Sequence, residues 1–352
     1  LSGFIVALAG GLNALLDNFT SPNTLNYTFS GDLVVIAVKA PSMPDVARAV
    51  APLIGPQTLV LTAMNGVPWW FLAGGVDAGL RGLQLRAVDP QGEIARAIPT
   101  GQVLGSVVHA SCSLDAPGVV RRHFGNSLIV GEPMALPGDA TTPRLLALAE
   151  LLRAGGIEVR LSDNIQRDAW YKLWGNMTMN PVSAITGATT DRILGDELVR
   201  NFITAVMLEA REIGARIGLP IADSPQDRHQ VTLKLGGFKT SMLQDVEAGR
   251  PIELDALVGA VREIGQHLGL LYREEDRVRG WPEHNLGKAA LRHKAFQHQQ
   301  LRFHEPHGQQ QGQAYGHGAH LGGGGLFFVA VALLRAVFEQ QQGGGDGEQG
   351  HG

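Results

Sequence analysis

With 352 residues, 44% of them hydrophobic, and a formal net charge of −4, the chain has room for two domains with sizeable cores. That mild acidity leaves no electrostatic footprint for nucleic acid or an anionic membrane, so neither partner is expected and a small molecule is. The lone cysteine, Cys112, excludes an intrachain disulfide and a thiolate metal cluster. No metal site is assigned. Cys112 itself is expected to be a small buried residue, since no base is placed to activate it.

In chain order, Phe4 to Leu16 is apolar, but the first basic residue is Lys39, so the charged start of a secretory signal is missing. A cytoplasmic protein is expected. Residues 17–30 are polar and turn-rich. Leu33 to Val38 (LVVIAV) is a β-branched run that predicts a strand buried on both faces, with Lys39 at its carboxyl end. A helix is predicted from Met43 to Leu53, with Pro44 in its first turn and Pro56 beyond its end. A second strand, Thr58 to Thr62, leads into Asn65-Gly66. This strand, helix, strand unit predicts half of a doubly wound sheet, in which ligands sit beyond the carboxyl ends of the strands.

Residues 80–135 predict several short strands, among them Val103 to His109 and Ser127 to Val130. A helix is predicted over 143–153, closed by Gly155-Gly156. Asn164 to Gly218 reads as mostly helical, as does Ala256 to Leu268. The fold class is therefore α/β in the first half and mainly α in the second. After about residue 271 the chain turns rich in His, Gln and Gly (HGQQQGQAYGHGAHLGGGG, 307–325), and apolar periodicity is lost. Residues 284–352 are predicted to be a disordered low-complexity tail with a short helix near 326–340. The apolar run Leu326 to Phe338 is too short to span a bilayer and carries Arg335.

The segment Trp170 to Pro181 (WYKLWGNMTMNP) is the most informative. Lys172, Asn176 and Asn180 stand at i, i+4 and i+8, so on a helix they share one face. One reading is an ammonium that donates a proton beside two amides that orient a polar substrate. The other is a solvated face, with Asn180 ending the helix before Pro181. Asn65-Gly66 by itself reads as a turn, and Lys39 as the end of a strand. Ser241 and Glu253 carry no motif of their own. Glu253 follows Gly249 and Pro251 near a helix start, where the helix dipole favours an acid.

Taken together, AVKA, NGVPWW, DNIQRDAWYKLWGNMTMNPVSAITG and FKTSMLQDVEAGRPIELDAL resemble the ketopantoate reductase (2-dehydropantoate 2-reductase) family from residue 33 to about 269. The resemblance implies a Rossmann-like NADP-binding domain over 1–160. It implies an all-α domain of the 6-phosphogluconate-dehydrogenase kind over 161–283, which takes the substrate. NADPH would reduce 2-dehydropantoate, or a related 2-ketoacid, in pantothenate and coenzyme A biosynthesis. Lys172 would be the general acid. Asn176, Asn180 and Ser241 would hold the substrate, and Asn65 would contact the substrate and the nicotinamide with its ribose. Glu253 would bind near the cofactor and support the lysine, and Lys39 would lie beside the cofactor. A homodimer is the candidate assembly.

The two ends depart from that pattern. The family opens with G-x-G-x-x-G between a strand and a helix, whereas the nearest run here is Ala9-Gly10-Gly11-Leu12-Asn13-Ala14. No residue among 1–30 is named as cofactor-binding. The first βα unit is expected to be lost, and both ends to reflect truncation or a disrupted reading frame. Two alternatives follow: a non-catalytic remnant acting as an interaction module, and another hydroxyacid dehydrogenase of the same architecture.

Overall fold

The computed structural model describes residues 33–270 except 78, 117–118, 136–140 and 235. The expectations for the opening segment, the lost βα unit and the tail, with its helix near 326–340, lie outside the described residues.

Strand β1 (Leu33–Ile36) pairs in parallel with β2 (Leu59–Thr62), and β2 with β3 (Val103–Ala116). Strand β1 stops two residues before the predicted end because its partner runs out. Ile36 faces Thr62, the last residue of β2, and the Ala63 N–H closes the ladder on the Ile36 carbonyl. The chain then enters a short 3-10 turn, Ala40–Ser42, and helix α1 (Met43–Val50). A proline in the first turn of each needs no N–H partner there.

Both sheet faces are covered, as the continuous apolar run of β1 requires. Val34, Ile36, Val60, Val103 and Val107 pack with Met43, Ala47 and Val50 of α1 on one side. Leu61, Leu104 and Val130 pack with Leu145, Leu148 and Leu152 of α3 (Pro143–Ala154) on the other. Thr142 caps α3 by accepting the Leu145 N–H at 3.2 Å. Helices on both faces of a largely parallel sheet give the expected α/β architecture.

The segment 80–135 differs from the expectation of several short strands. β3 and β4 (Val119–Gly131) form one long antiparallel hairpin, with register shifts between His109 and Ser111, Ser111 and Cys112, and Leu114 and Ala116. The described side chains of its outer half from Val119 to Phe124 are all exposed, so no core-facing period marks a ladder that backbone hydrogen bonds hold. Cys112 lies on that outer half and is exposed, which corrects the expectation of a buried residue. Two elements were not foreseen. Helix α2 (Glu93–Ala97) is started by the buried Asp89 carboxylate, which accepts the Ile94 and Ala95 N–H groups at 3.1 and 3.0 Å. Strand β5 (Glu158–Leu161), too short and charged to read as a strand, pairs in parallel with β4.

From residue 162 onward the described residues hold helices and no strand. They are α4 (Ile165–Thr186), α5 (Thr190–Gly195), α6 (Glu197–Arg216), α7 (Pro225–Leu233), α8 (Ser241–Glu247), a π turn (Asp255–Gly259) and α9 (Ala260–His267). Pro181 lies inside α4, so Asn180 does not end that helix, contrary to the solvated-face reading. The chain divides into two compact units. Among the described residues, the first comprises 33–177, Ala210–Ser224 and Gly249–Ile264, and the second comprises Thr178–Glu209, Pro225–Ala248 and 265–270. In the second unit the Thr190 backbone N–H and side-chain hydroxyl donate to the Phe238 and Gly236 carbonyls at 3.0 and 2.8 Å. No described helix is long and apolar enough to cross a membrane.

Candidate active site

The parallel strands of the first unit place their carboxyl ends side by side. β1 delivers Lys39, and β2 delivers Asn65 on a turn that needs φ of +80° at Gly66. Beside them β3 supplies Ser106, Val107 and Val108. Below these ends the side chains are fixed by two hydrogen bonds to Thr62. The Trp70 indole N–H donates to its hydroxyl at 3.0 Å, and the buried Ser106 hydroxyl donates to its carbonyl at 2.8 Å.

Helix α4 brings Lys172 to this place because its neighbours are anchored. Trp170, Leu173 and Trp174 are buried, and Gly214 leaves room for Trp170: a Cβ there would stand 2.3 Å from the indole nitrogen. Lys172 Nζ donates to Asn65 Oδ1 at 2.8 Å and to the Val108 carbonyl at 2.5 Å. An ammonium has three N–H groups, so one is left beyond these two acceptors. Burial pushes its pKa down to about 8, while the negative charge of Glu253 acts in the opposite direction.

Glu253 is itself buried. Its carboxylate accepts the Ala40 N–H at 3.1 Å and pairs with Lys39 Nζ at 3.4 Å. The side chain is therefore committed to the end of β1, not to the helix start that its sequence position suggested. Only its backbone carbonyl serves the helix, accepting the Leu257 N–H at 3.0 Å.

An open pocket is lined by Asn65, Lys172 and Asn176 among apolar walls that include Met64, Pro68, Trp70, Val107 and Leu173. That mix of surfaces suits a small ligand held by a few polar groups. Asn65, Lys172 and Asn176 are thus brought together, and Lys39 is joined to Glu253. Asn180 is buried two turns further along α4, and Ser241 opens α8; both belong to the second unit. The sequence reading missed Ser106, Thr62 and the Val108 carbonyl. Only the position of Thr62 at a strand end could have pointed to them. Among the described residues no group of His, Cys, Asp and Glu could hold a metal ion.

The arrangement can donate a proton near neutral pH to an oxygen that gains negative charge, within a largely apolar cleft. Comparison with known proteins points the same way. The family described as "Ketopantoate reductase PanE/ApbA" matches residues 16–134, and "Ketopantoate reductase PanE/ApbA C terminal" matches residues 164–272. The first match begins upstream of residue 33, where the sequence reading had placed the start of the resemblance. The chain is 42% identical over 235 residues to the 2-dehydropantoate 2-reductase of Mesorhizobium japonicum, covering 67% of this chain and 71% of that protein. It is 24% identical over 241 residues to the enzyme of the same name from Nostoc sp., covering 68% and 69%. Among solved structures, a Ralstonia solanacearum protein classed with the ketopantoate reductases is 48% identical, with a TM-score of 0.65 over 76% of this chain and 88% of that one. The 2-dehydropantoate 2-reductase of Geobacter metallireducens is 26% identical, with a TM-score of 0.55 over 68% and 72%.

Proposed function

The chain belongs to the ketopantoate reductase family, and we propose that it uses NADPH to reduce 2-dehydropantoate to pantoate. The observation that carries this reading is the Lys172 ammonium, held by Asn65 and Val108 at the mouth of the pocket. The described residues fit the nicotinamide end of such a cofactor. An amide, an ammonium and a carboxylate (Asn65, Lys39 and Glu253) stand at the carboxyl ends of adjacent parallel strands, where open α/β sheets take nucleotides. When bound, the cofactor supplies a hydride for the carbonyl carbon of the ketoacid.

As the carbonyl π bond breaks, its oxygen becomes an alkoxide, and Lys172 gives that oxygen a proton. Asn65 and the Val108 carbonyl hold the ammonium in place for the transfer. The charge of Glu253 offsets part of the cost that burial imposes on the Lys172 ammonium. By the family resemblance, Asn176, Asn180 and Ser241 are assigned to the carboxylate and hydroxyl of the substrate. On this reading residues 1–160 form the dinucleotide domain and 161–283 the substrate domain. A cytoplasmic homodimer completes the assignment, and the single cysteine fits a reducing compartment.

The test is NADPH oxidation by the purified chain with 2-dehydropantoate, other 2-ketoacids and, in reverse with NADP⁺, 3-hydroxyacids. The highest kcat/KM is expected for 2-dehydropantoate. A preference for 3-hydroxyacids would make this another dehydrogenase of the same architecture. No turnover of any substrate by a folded chain would leave the non-catalytic remnant.

A further inference from the structure

Two strand-end loops of the first unit dock on one short stretch of chain. After β1, the Ala40 N–H and Lys39 Nζ meet the Glu253 carboxylate at 3.1 and 3.4 Å. After β2, the Val67 N–H donates to the carbonyl of Ala256, three residues further on, at 2.8 Å. The second contact needs a glycine. Gly66 has φ of +80°, and a Cβ there would fall 2.8 Å from both the Cβ and the carbonyl oxygen of Ala256.

The receiving stretch is not regular α-helix. Asp255–Gly259 is a π turn, in which the Ala260 N–H donates to the Asp255 carbonyl. Such turns re-aim backbone groups locally and recur at functional sites. Here the Ala256 carbonyl takes a donor from outside its own helix. The residue before Gly66 is Asn65, whose side-chain oxygen accepts from Lys172 at 2.8 Å.

We infer that Gly66 and Ala256 are positioning residues, whose close approach fixes the Asn65 carboxamide against the Lys172 ammonium. The catalytic consequence rests on Lys172 being the proton donor; the positional claim does not. An acceptor bonded to an ammonium favours its charged form, and burial opposes it. The charged group whose field reaches Lys172 is Glu253, with Lys39 bonded to it. If the turn is pushed away, Lys172 loses one acceptor while its burial stays, so it gives up its proton at a lower pH.

The experiment uses the full chain with Gly66→Ala, and with Ala256→Val, which presses on the turn while leaving a glycine at the positive-φ position. Competitive acetylation across a pH series, read by mass spectrometry on the Lys172 peptide, reports the titration of that amine directly. The midpoint should fall by about one pH unit in either variant. In an Asn65→Ala background neither substitution should move it further, because the acceptor it displaces is already gone. An unchanged midpoint in the folded variants, or a full additional shift in that background, overturns the inference. If Gly66→Ala does not fold, Ala256→Val decides alone. The pH profile of kcat/KM separates the two claims. A midpoint that moves while the alkaline limb of turnover stays put upholds the positional claim and removes Lys172 as proton donor.

Discussion

Among the described residues, the part-buried Lys172 and Glu209 titrate well away from their ordinary ranges, each displaced by lost hydration. In Lys172 the ammonium is disfavoured, and two acceptors and a nearby carboxylate offset part of the cost. Glu209, on α6, has no such support. Both of its carboxylate oxygens are shielded from solvent without a hydrogen-bond partner among the described residues, and burial raises its pKa to about 7. Between its ordinary value of 4.5 and about 7, the folded chain holds a proton that the unfolded chain has released. Stability associated with this group is therefore present below that window and is lost as pH rises through it. Glu209→Gln keeps the shape and removes the charge. Its thermal midpoint should match the parent at about pH 4 and exceed it at about pH 8. Identical midpoints at both would show that the carboxylate is solvated after all.

Among the elements, those that could be read from the sequence are the ones with punctuation and period. Pro44 and Pro56 bracket α1 and the 3-10 turn Ala51–Leu53 that extends it, Gly155-Gly156 follows α3, and the apolar run of β1 admits no other element of its length. The hairpin of β3 and β4 could not be read, because its outer half lies on no core and has no apolar alternation to reveal its length. Where it does enter the core it is tightly fitted. Gly105 of β3 faces the Trp70 ring, and a Cβ there would sit 2.6 Å from the nearest ring carbon and 3.0 Å from Ile165. Trp70 is pinned by its bond to Thr62 and cannot yield freely. Gly105→Ala should therefore lower stability by about 1–3 kcal/mol, as overpacking of a core does. Urea unfolding measures this, and an unchanged midpoint would mean that the ring has room to move.

For the molecule as a whole, the α/β-then-α plan and the helix bearing Lys172 were legible, while the partition into units was not. Chemistry on one helix face shows in i, i+4 spacing, which is why Lys172 and Asn176 stand out in the sequence. Glu253 gave no such signal, because its significance comes from Ala40 and Lys39, more than two hundred residues earlier. Backbone groups such as the Val108 carbonyl carry no residue-type signal at all. Nor does sequence spacing show that the chain returns to the first unit at Ala210–Ser224 and Gly249–Ile264. The central claim is that Lys172 delivers the proton, and the pH dependence of ketoacid reduction tests it most directly. With an amine that titrates near pH 8, kcat/KM should be level below that value and fall tenfold per pH unit above it. Oxidation of the hydroxyacid should instead rise through the same pH, since it needs the neutral amine. Lys172→Ala should abolish the limb and cost ~10²–10⁴-fold in rate. A variant that keeps the parent rate, or the same alkaline limb, would contradict the account.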